Sequence, residues 1–337
     1  MSILETLKPQ FQPAFPRLAS GKYIHFIMLR NSQSFPVFQT DGILNTARTQ
    51  AGLTTQGLIN RLVIFKRKQV SPERLVGREL LRSLKLIDSE DKDVDIFCRY
   101  GGELFCSKCP DCVLYGFAVG DSGSERSKLY SDSAFSLSPY EQSHKSFTFN
   151  SLSEAGTMML DSDDPKRTET NKTRSSINEL DHVLPEVTFP SVETLRDSTY
   201  EGFIYVLGNL LRTRRYGAQE SRTGTMKNHL IGIVMCDGEI FSNLHFTQAL
   251  YDALKGDINA PISDIRIRAS EVVNNLLNDE PVRKSQVIVG TQLEQLLDEV
   301  GSLYQDESRL LSMMTTLYEQ TKTYSETYGA LKKKGKK

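Results

Sequence analysis

Lys22-Tyr23-Ile24-His25-Phe26-Ile27-Met28-Leu29 is dominated by β-branched, aromatic and long apolar side chains. A short apolar run of this kind, halted by Arg30-Asn31, reads as a buried strand. Two further runs have the same character, Val113 to Val119 (VLYGFAV) and Leu230 to Met235 (LIGIVM), the second turning at Asp237-Gly238. Helical patterns lie between and after them. Ser71-Pro72-Glu73 reads as a helix start running to about Lys85, since Ser caps free amides and Pro suits the first turn. Ser198-Thr199-Tyr200-Glu201 is a capping box opening a helix that stops near Arg212. His245 to Leu254 and Ser263 to Leu277 read as helices, and Leu293 to Leu317 as an amphipathic helix or helix pair. Few strands, widely separated and interleaved with helices, predict an α+β fold with one central sheet carrying large insertions.

The stretch from Gly120 to about Pro190 is polar, and a segment this long inside a globular chain is functional or disordered. Ser146-Phe147-Thr148-Phe149 and Val187-Thr188-Phe189 alternate like strand fragments, which fits an extended two-stranded projection as well as disorder. The chain has 337 residues, 39% apolar and 25% charged, and no run of about 18 apolar residues, so no membrane span is expected. The N-terminus lacks the basic flank and apolar stretch of a secretory signal, and a cytoplasmic location is expected. The net charge of −1 hides local asymmetry. Arg61 to Lys85 holds eight Lys or Arg against two Glu, and Arg212 to Lys227 five against one. Lys332, Lys333, Lys334, Lys336 and Lys337 crowd the C-terminus. Such clusters are the footprint of a polyanion, or ordinary solvated charge.

Four of the five cysteines, Cys98, Cys106, Cys109 and Cys112, fall within 15 residues as C-x7-C-x2-C-x2-C. C-x2-C spacing turns two thiolates toward one ion, and Zn²⁺ favours four soft ligands in a tetrahedron. Disulfides are disfavoured in a chain without a secretion signal, while an iron–sulfur cluster remains the competing reading. With all four positions filled by Cys, none is open for a catalytic water, so the site is expected to be structural. Cys236 reads as a core thiol.

No phosphate-binding G-x-x-x-x-G-K-[ST] loop, G-x-S-x-G elbow or H-E-x-x-H helix is present, and the five His are scattered. Asp41, in the loop after the first strand, is either a metal-binding catalytic residue or half of an ordinary Asp-Gly turn. Arg214 to Gly224 forms a basic loop containing Arg215, Tyr216, Gly217, Gln219 and Arg222. Arginine pairs bidentately with phosphate, glycine lets backbone amides approach it, and Tyr216 is placed to stack on a base. The competing reading is a helix C-terminus in which Arg212 and Gly217 serve as dipole partner and cap.

Taken in order, these features resemble one family. They are a strand ending in Arg30-Asn31, a loop with Asp41-Gly42, a Cys cluster before a strand, and a long polar insertion. A capped helix then runs through Leu211-Arg212-Thr213-Arg214-Arg215-Tyr216-Gly217-Ala218 into Arg222-Thr223-Gly224-Thr225. Together they are similar to the backbone subunit of the type I-D CRISPR effector complex, Cascade, in the RAMP superfamily. The resemblance runs from about Lys22 to Lys255. It implies an RNA-recognition-motif-like (ferredoxin-like) core, formed by residues 1–95 with 190–290. Residues 96–120 would be a zinc-binding insertion, 121–190 a thumb, and 291–337 C-terminal helices and a basic tail. It further implies head-to-tail stacking of copies into a helical filament along guide RNA, paired with a DNA or RNA target strand beside other Cascade subunits in antiviral defence. Arg30, Asn31, Arg48, Arg212, Arg214, Arg215, Tyr216, Gly217, Gln219, Arg222 and Gly224 would line the RNA path, gripping phosphate without reading sequence. Phe147, Phe149, Met158 and Met159 would wedge between bases or pack on a neighbour. Related type III subunits cut the target with an Asp after the first strand, so cleavage at Asp41 is the enzymatic alternative. A zinc-containing protein adaptor docking through Leu293 to Leu317 is the non-enzymatic one.

Overall fold

The computed structural model of the chain describes residues 2–40, 42–101, 104–120, 123–150, 177–217 and 221–329. The first apolar run becomes β1, Tyr23–Ser32, and extends past Leu29 because Arg30, Asn31 and Ser32 also find buried partners. Four more strands complete its sheet: β2 (Leu129–Ser131), β3 (Thr188–Arg196), β4 (Met226–Cys236) and β5 (Lys284–Val289). Their order is β5-β4-β1-β3-β2, with every neighbouring pair antiparallel. β1 is therefore hydrogen-bonded on both edges, from Tyr23 opposite Arg196 to Asn31 opposite Thr188, and from Tyr23 opposite Cys236 to Ser32 opposite Met226.

Side chains alternate across a strand, and here both faces are covered. Ile24, Phe26 and Met28 enter one core with α1 (Lys66–Ser83), α2 (Pro110–Leu114) and α3 (Tyr200–Arg212). Ile27 and Leu29 enter a second core under α4 (Asn243–Ala253) and α5 (Ile262–Asp279). The C-terminal pair α6 (Gly290–Gln305) and α7 (Glu307–Tyr328) returns to the first face, burying Leu296, Val300, Met314 and Leu317. A third core, with Phe38, Leu62, Phe189, Tyr216 and Met226, closes the end of the sheet. Beside it a small sheet joins Thr46–Gln50, Leu58–Ile64 and Ala134–Pro139. The α+β class and the helical C-terminus are as expected. Among the described residues no helix is long and apolar enough to cross a membrane.

Several local expectations are corrected. α1 begins at Lys66, not after Ser71, and Pro72 lies inside it. Proline has no N–H, so the carbonyl four residues earlier loses its helical donor. That carbonyl, on Lys68, accepts the Gly217 N–H at 3.3 Å instead. Thr199, not Ser198, caps α3, its hydroxyl accepting the Gly202 N–H at 3.2 Å. Val113 to Val119 is not one strand, because Pro110 starts the short α2 and only Phe117–Val119 is extended. β5 escaped the sequence reading because its first half, Lys284-Ser285-Gln286, is polar and only Ile288 of the strand is buried. The two-stranded projection forms as His144–Asn150 paired with Ile177–Val183. Val187 to Phe189, expected as another piece of it, instead leads into β3.

Candidate functional site

The four clustered cysteines converge as their spacing predicts: their sulfurs all lie within 4.8 Å of one another. Cys98 Sγ is 3.8 Å from Cys109 Sγ and 3.6 Å from Cys112 Sγ, and Cys106 Sγ is 3.9 Å from Cys112 Sγ. Four thiolates bound at about 2.3 Å to a central zinc stand about 3.8 Å apart at the corners of a tetrahedron. The separations match that edge, and a disulfide requires about 2.05 Å. Backbone amides add to the cradle: Cys106 N donates to Cys98 Sγ at 3.5 Å and Cys109 N to Cys106 Sγ at 3.3 Å. The Cys98 thiol is pulled down, first by hydrogen bonds from the other three cysteines and, against its burial, by Arg78. Cys109 is pushed up, chiefly by burial, and Cys112 also rises, chiefly through its hydrogen bond with Cys106. Four sulfurs, three of them buried and that of Cys106 half-buried, cannot all ionise this close together without a cation among them, so the donor set fits a bound metal.

The cluster is tied to the core through Asp111, which is fully buried on α2 between Cys109 and Cys112. Arg74 grips Asp111 bidentately, Nε to Oδ1 at 2.7 Å and Nη2 to Oδ2 at 2.9 Å. Arg78 donates to Asp111 Oδ2 at 2.7 Å, to the Cys98 carbonyl at 2.6 Å and to Cys98 Sγ at 3.5 Å. Ser325 on α7 reaches Ser107 at 3.4 Å. Sequence reading missed these anchors because Arg74 and Arg78 looked like part of a basic surface. Of the eight basic residues from Arg61 to Lys85, four (Arg61, Lys68, Arg74 and Arg78) are buried. Arg61 spends its guanidinium on the carbonyls of Ala51, Ser136 and Leu137.

The expected RNA-contacting residues separate into two groups. Arg30, Asn31 and Tyr216, expected along an RNA path, are buried within the chain. Arg30 is fully enclosed, with Nη1 donating to Glu73 (2.9 Å), Tyr216 Oη (2.7 Å) and Asn228 (3.2 Å), and Nη2 to Glu193 (2.6 Å). Burial opposes its charge, but Tyr216, Glu73 and Glu193 outweigh burial and hold it protonated. Glu193 is pushed well up, first by burial and then by the Glu73 carboxylate, and Glu73 is also raised, chiefly by burial and against the pull of Arg30. Asn31 donates to Thr188 at 3.1 Å. Gly217 and Gly224 are also committed internally. Gly217 has φ +104°, its N–H is used by Lys68, and a Cβ there would lie 2.3 Å from the Val37 carbonyl oxygen. Gly224 donates to the Phe35 carbonyl at 2.9 Å, and a Cβ would lie 2.4 Å from Phe35 N. Their absent side chains admit protein backbone.

Arg48, Arg212, Arg214, Arg215 and Arg222 are exposed. Arg212 lies over the Tyr304 ring at 5.7 Å, and Arg215 donates to the Thr223 carbonyl at 2.5 Å. Two further exposed basic residues share with Arg214 an electrostatic effect on His229. Lys227 is exposed on β4 and Arg266 is exposed on α5. Both act on His229, whose pKa falls to about 4, first through burial and then through Lys227, Arg266 and Arg214. The alternation of β4 places Lys227 and His229 on one side; α5 carries Arg266, 39 residues further along the chain. Asp41, Gln219, Phe149's side chain, Met158, Met159 and the lysine tail lie outside the described residues. Phe147 packs edge-on against Phe35 (5.1 Å) and His182 (5.4 Å) at the root of the hairpin.

No curated protein matches the chain. The solved structure of Csc2 from Thermofilum pendens shares its fold, with a TM-score of 0.59 over 96% of this chain and 95% of that one at 16% identity. A chain of a CRISPR RNA-guided surveillance complex aligns over 78% of this chain and 86% of that one, at 11% identity and a TM-score of 0.47. The Csc2 CRISPR family model matches residues 10–314, and the chain therefore belongs to the Csc2 CRISPR family.

Proposed function

We propose that this protein is the guide-RNA-binding backbone subunit of a type I-D CRISPR effector complex. The observation that carries the reading, beyond family membership, is the exposed basic set Arg214, Lys227 and Arg266, from a loop, a strand and a helix, around His229, with the exposed Arg215 and Arg222 on the stretches that flank and follow Arg214. Separate elements contributing cations to one region are the footprint of a polyanion, and arginine suits phosphate in particular. The order β1–α1–β2–β3–α3–β4, with strands arranged β4-β1-β3-β2 and all antiparallel, supports an RNA-recognition-motif-like core. In this core the sheet face that would otherwise be open is covered by α4 and α5, which bury Ile27 and Leu29. Guide RNA would accordingly run past the Arg214 loop at the sheet's end, with phosphates engaged and sequence unread. The hairpin His144–Asn150 with Ile177–Val183 would be the root of the thumb that reaches a neighbouring copy. Head-to-tail contact of this kind is open-ended and produces a helical filament.

Cys98, Cys106, Cys109 and Cys112 would hold zinc. When bound it supplies four-coordinate crosslinking of the loop and no reactive ligand position, since all four donors are protein thiolates. Asp111, Arg74 and Arg78 carry that crosslink into α1. The role needs no catalysis by this chain. Cutting at Asp41 would be a separate activity, tested by Asp41→Ala against a guide-bound target in the presence of Mg²⁺.

The deciding experiment co-expresses the chain with a repeat–spacer transcript and sizes the product while recording the ratio of absorbance at 260 and 280 nm. A large RNA-rich species is expected. An RNA-free monomer under the same conditions would overturn the reading.

A further inference from the structure

The stretches Thr213 to Gly217 and Ser221 to Thr225 bear Arg214, Arg215 and Arg222, and both are fastened at defined points. Tyr216 is fully buried, and its hydroxyl makes three hydrogen bonds. It donates to Glu73 Oε1 at 2.9 Å and accepts from Arg30 Nη1 at 2.7 Å and Asn228 Nδ2 at 2.6 Å. A phenol has one proton and two lone pairs, so its capacity is used in full. Gly217 N–H fills the place that Pro72 leaves on the Lys68 carbonyl. Thr223 closes the loop, its hydroxyl donating to the Tyr216 carbonyl at 2.9 Å and accepting the Val37 N–H at 2.9 Å. Glu73 and Lys68 both belong to α1, so one helix supplies two of these fastenings, and β1, β4 and Val37 supply the others.

Resting on the reading that this loop meets RNA phosphate, we propose that Tyr216 and Glu73 are positioning residues for RNA. They touch no RNA themselves but hold Arg214, Arg215 and Arg222 in a fixed array before RNA arrives. Each arginine lies within six residues of Tyr216, so the anchored ring limits how far its backbone can wander. A loop ordered in advance loses less conformational entropy on binding. A side chain that only filled the core would stabilise the protein without changing how many phosphates it engages. Arg30, Glu193 and Asn228 lie on the sheet strands, so Tyr216 is the member of this network that carries its effect into the loop.

The test compares the full-length chain with Tyr216→Phe, which keeps the ring, and Glu73→Gln, which keeps the shape of the acceptor. Two readouts are taken. The first is the rate of trypsin cleavage after Arg214, Arg215 and Arg222 without RNA. The second is the salt dependence of binding to a fluorescent 30-nucleotide poly-U. Both variants are expected to be cut several-fold faster at those sites, with other sites unchanged. Poly-U affinity should fall about tenfold, and the plot of log affinity against log salt should become shallower by about one, as roughly one phosphate contact is lost. Cleavage and slope both equal to wild type, with only a lower melting temperature, would overturn the proposal. If Tyr216→Phe does not fold, Glu73→Gln decides by the same two readouts. If the wild-type chain binds no poly-U, the functional reading fails, while the cleavage rates still decide whether this network holds the loop.

Discussion

At the scale of single residues, burial sorts arginines that look alike in sequence. Arg30 and Arg214 were both candidates for phosphate contact, but Arg30 is wholly enclosed by two glutamates, a tyrosine and an asparagine, while Arg214 is exposed. Their substitutions should differ in kind. Arg30→Ala strands two buried carboxylates and should destabilise the fold by about 3–5 kcal/mol, visible as a lower denaturant midpoint. Arg214→Ala should leave that midpoint within about 0.5 kcal/mol and reduce the salt slope of poly-U binding by about one, read by fluorescence anisotropy. A normal slope would remove Arg214 from the interface. His25 offers a prediction in pH. Both its ring nitrogens are bonded, to Thr194 at 2.8 Å and the Gly238 carbonyl at 2.9 Å, and burial lowers its pKa to about 4. The unfolded chain therefore binds a proton there below about pH 6.5 that the folded chain refuses until about pH 4. Stability should fall as pH drops through that window, by at most about 3 kcal/mol from this residue. Urea melts at pH 7 and pH 4.5 measure the fall, and His25→Gln should flatten it. An equal fall in the variant would assign the acid sensitivity elsewhere.

Among the elements, α1 does two jobs from adjacent positions. Glu73 reaches Tyr216 in the basic loop, and Arg74 with Arg78 reaches Asp111 in the cysteine loop. Adjacent residues on a helix point about 100° apart, so one helix can face two sites without either blocking the other. Asp111→Asn keeps the shape but discharges the partner of two buried arginines. It should lower metal retention by about 10- to 100-fold, as loss of an outer-shell partner does. Competition with a chelator, monitored by released metal, measures this, and wild-type retention would show that the anchor does not hold the cluster. Pro72 shows why this element was misplaced in sequence. Proline at a first helical turn and proline inside a helix look identical until the partner of the orphaned carbonyl is known, and that partner, Gly217, lies 145 residues away.

For the molecule as a whole, the hairpin His144–Asn150 with Ile177–Val183 stands on the third core through Val183 and, among the described residues, shares no strand pairing with the main sheet. Replacing residues 148–179 by a short Gly-Ser linker should therefore leave the melting temperature within a few degrees. If copies stack through this projection, the same change should abolish the large RNA-bound species on sizing and leave single-copy poly-U binding intact. A full-length assembly from the shortened chain would exclude the hairpin as the contact. The sequence alone determined two of the three apolar strand cores, those of β1 and β4, the α+β class, the convergence of Cys98, Cys106, Cys109 and Cys112, and the helical C-terminus. Each is a local matter, written in periodicity or in spacings of a few residues. Only the tertiary structure decided which basic residues face outward. It showed that Arg74 and Arg78 serve Asp111, that Tyr216 is a buried anchor, and that Lys227 and Arg266 join Arg214 around His229. The physical reason is that the partner neutralising or exposing each charge comes from a distant part of the chain, and composition near a residue carries no record of it.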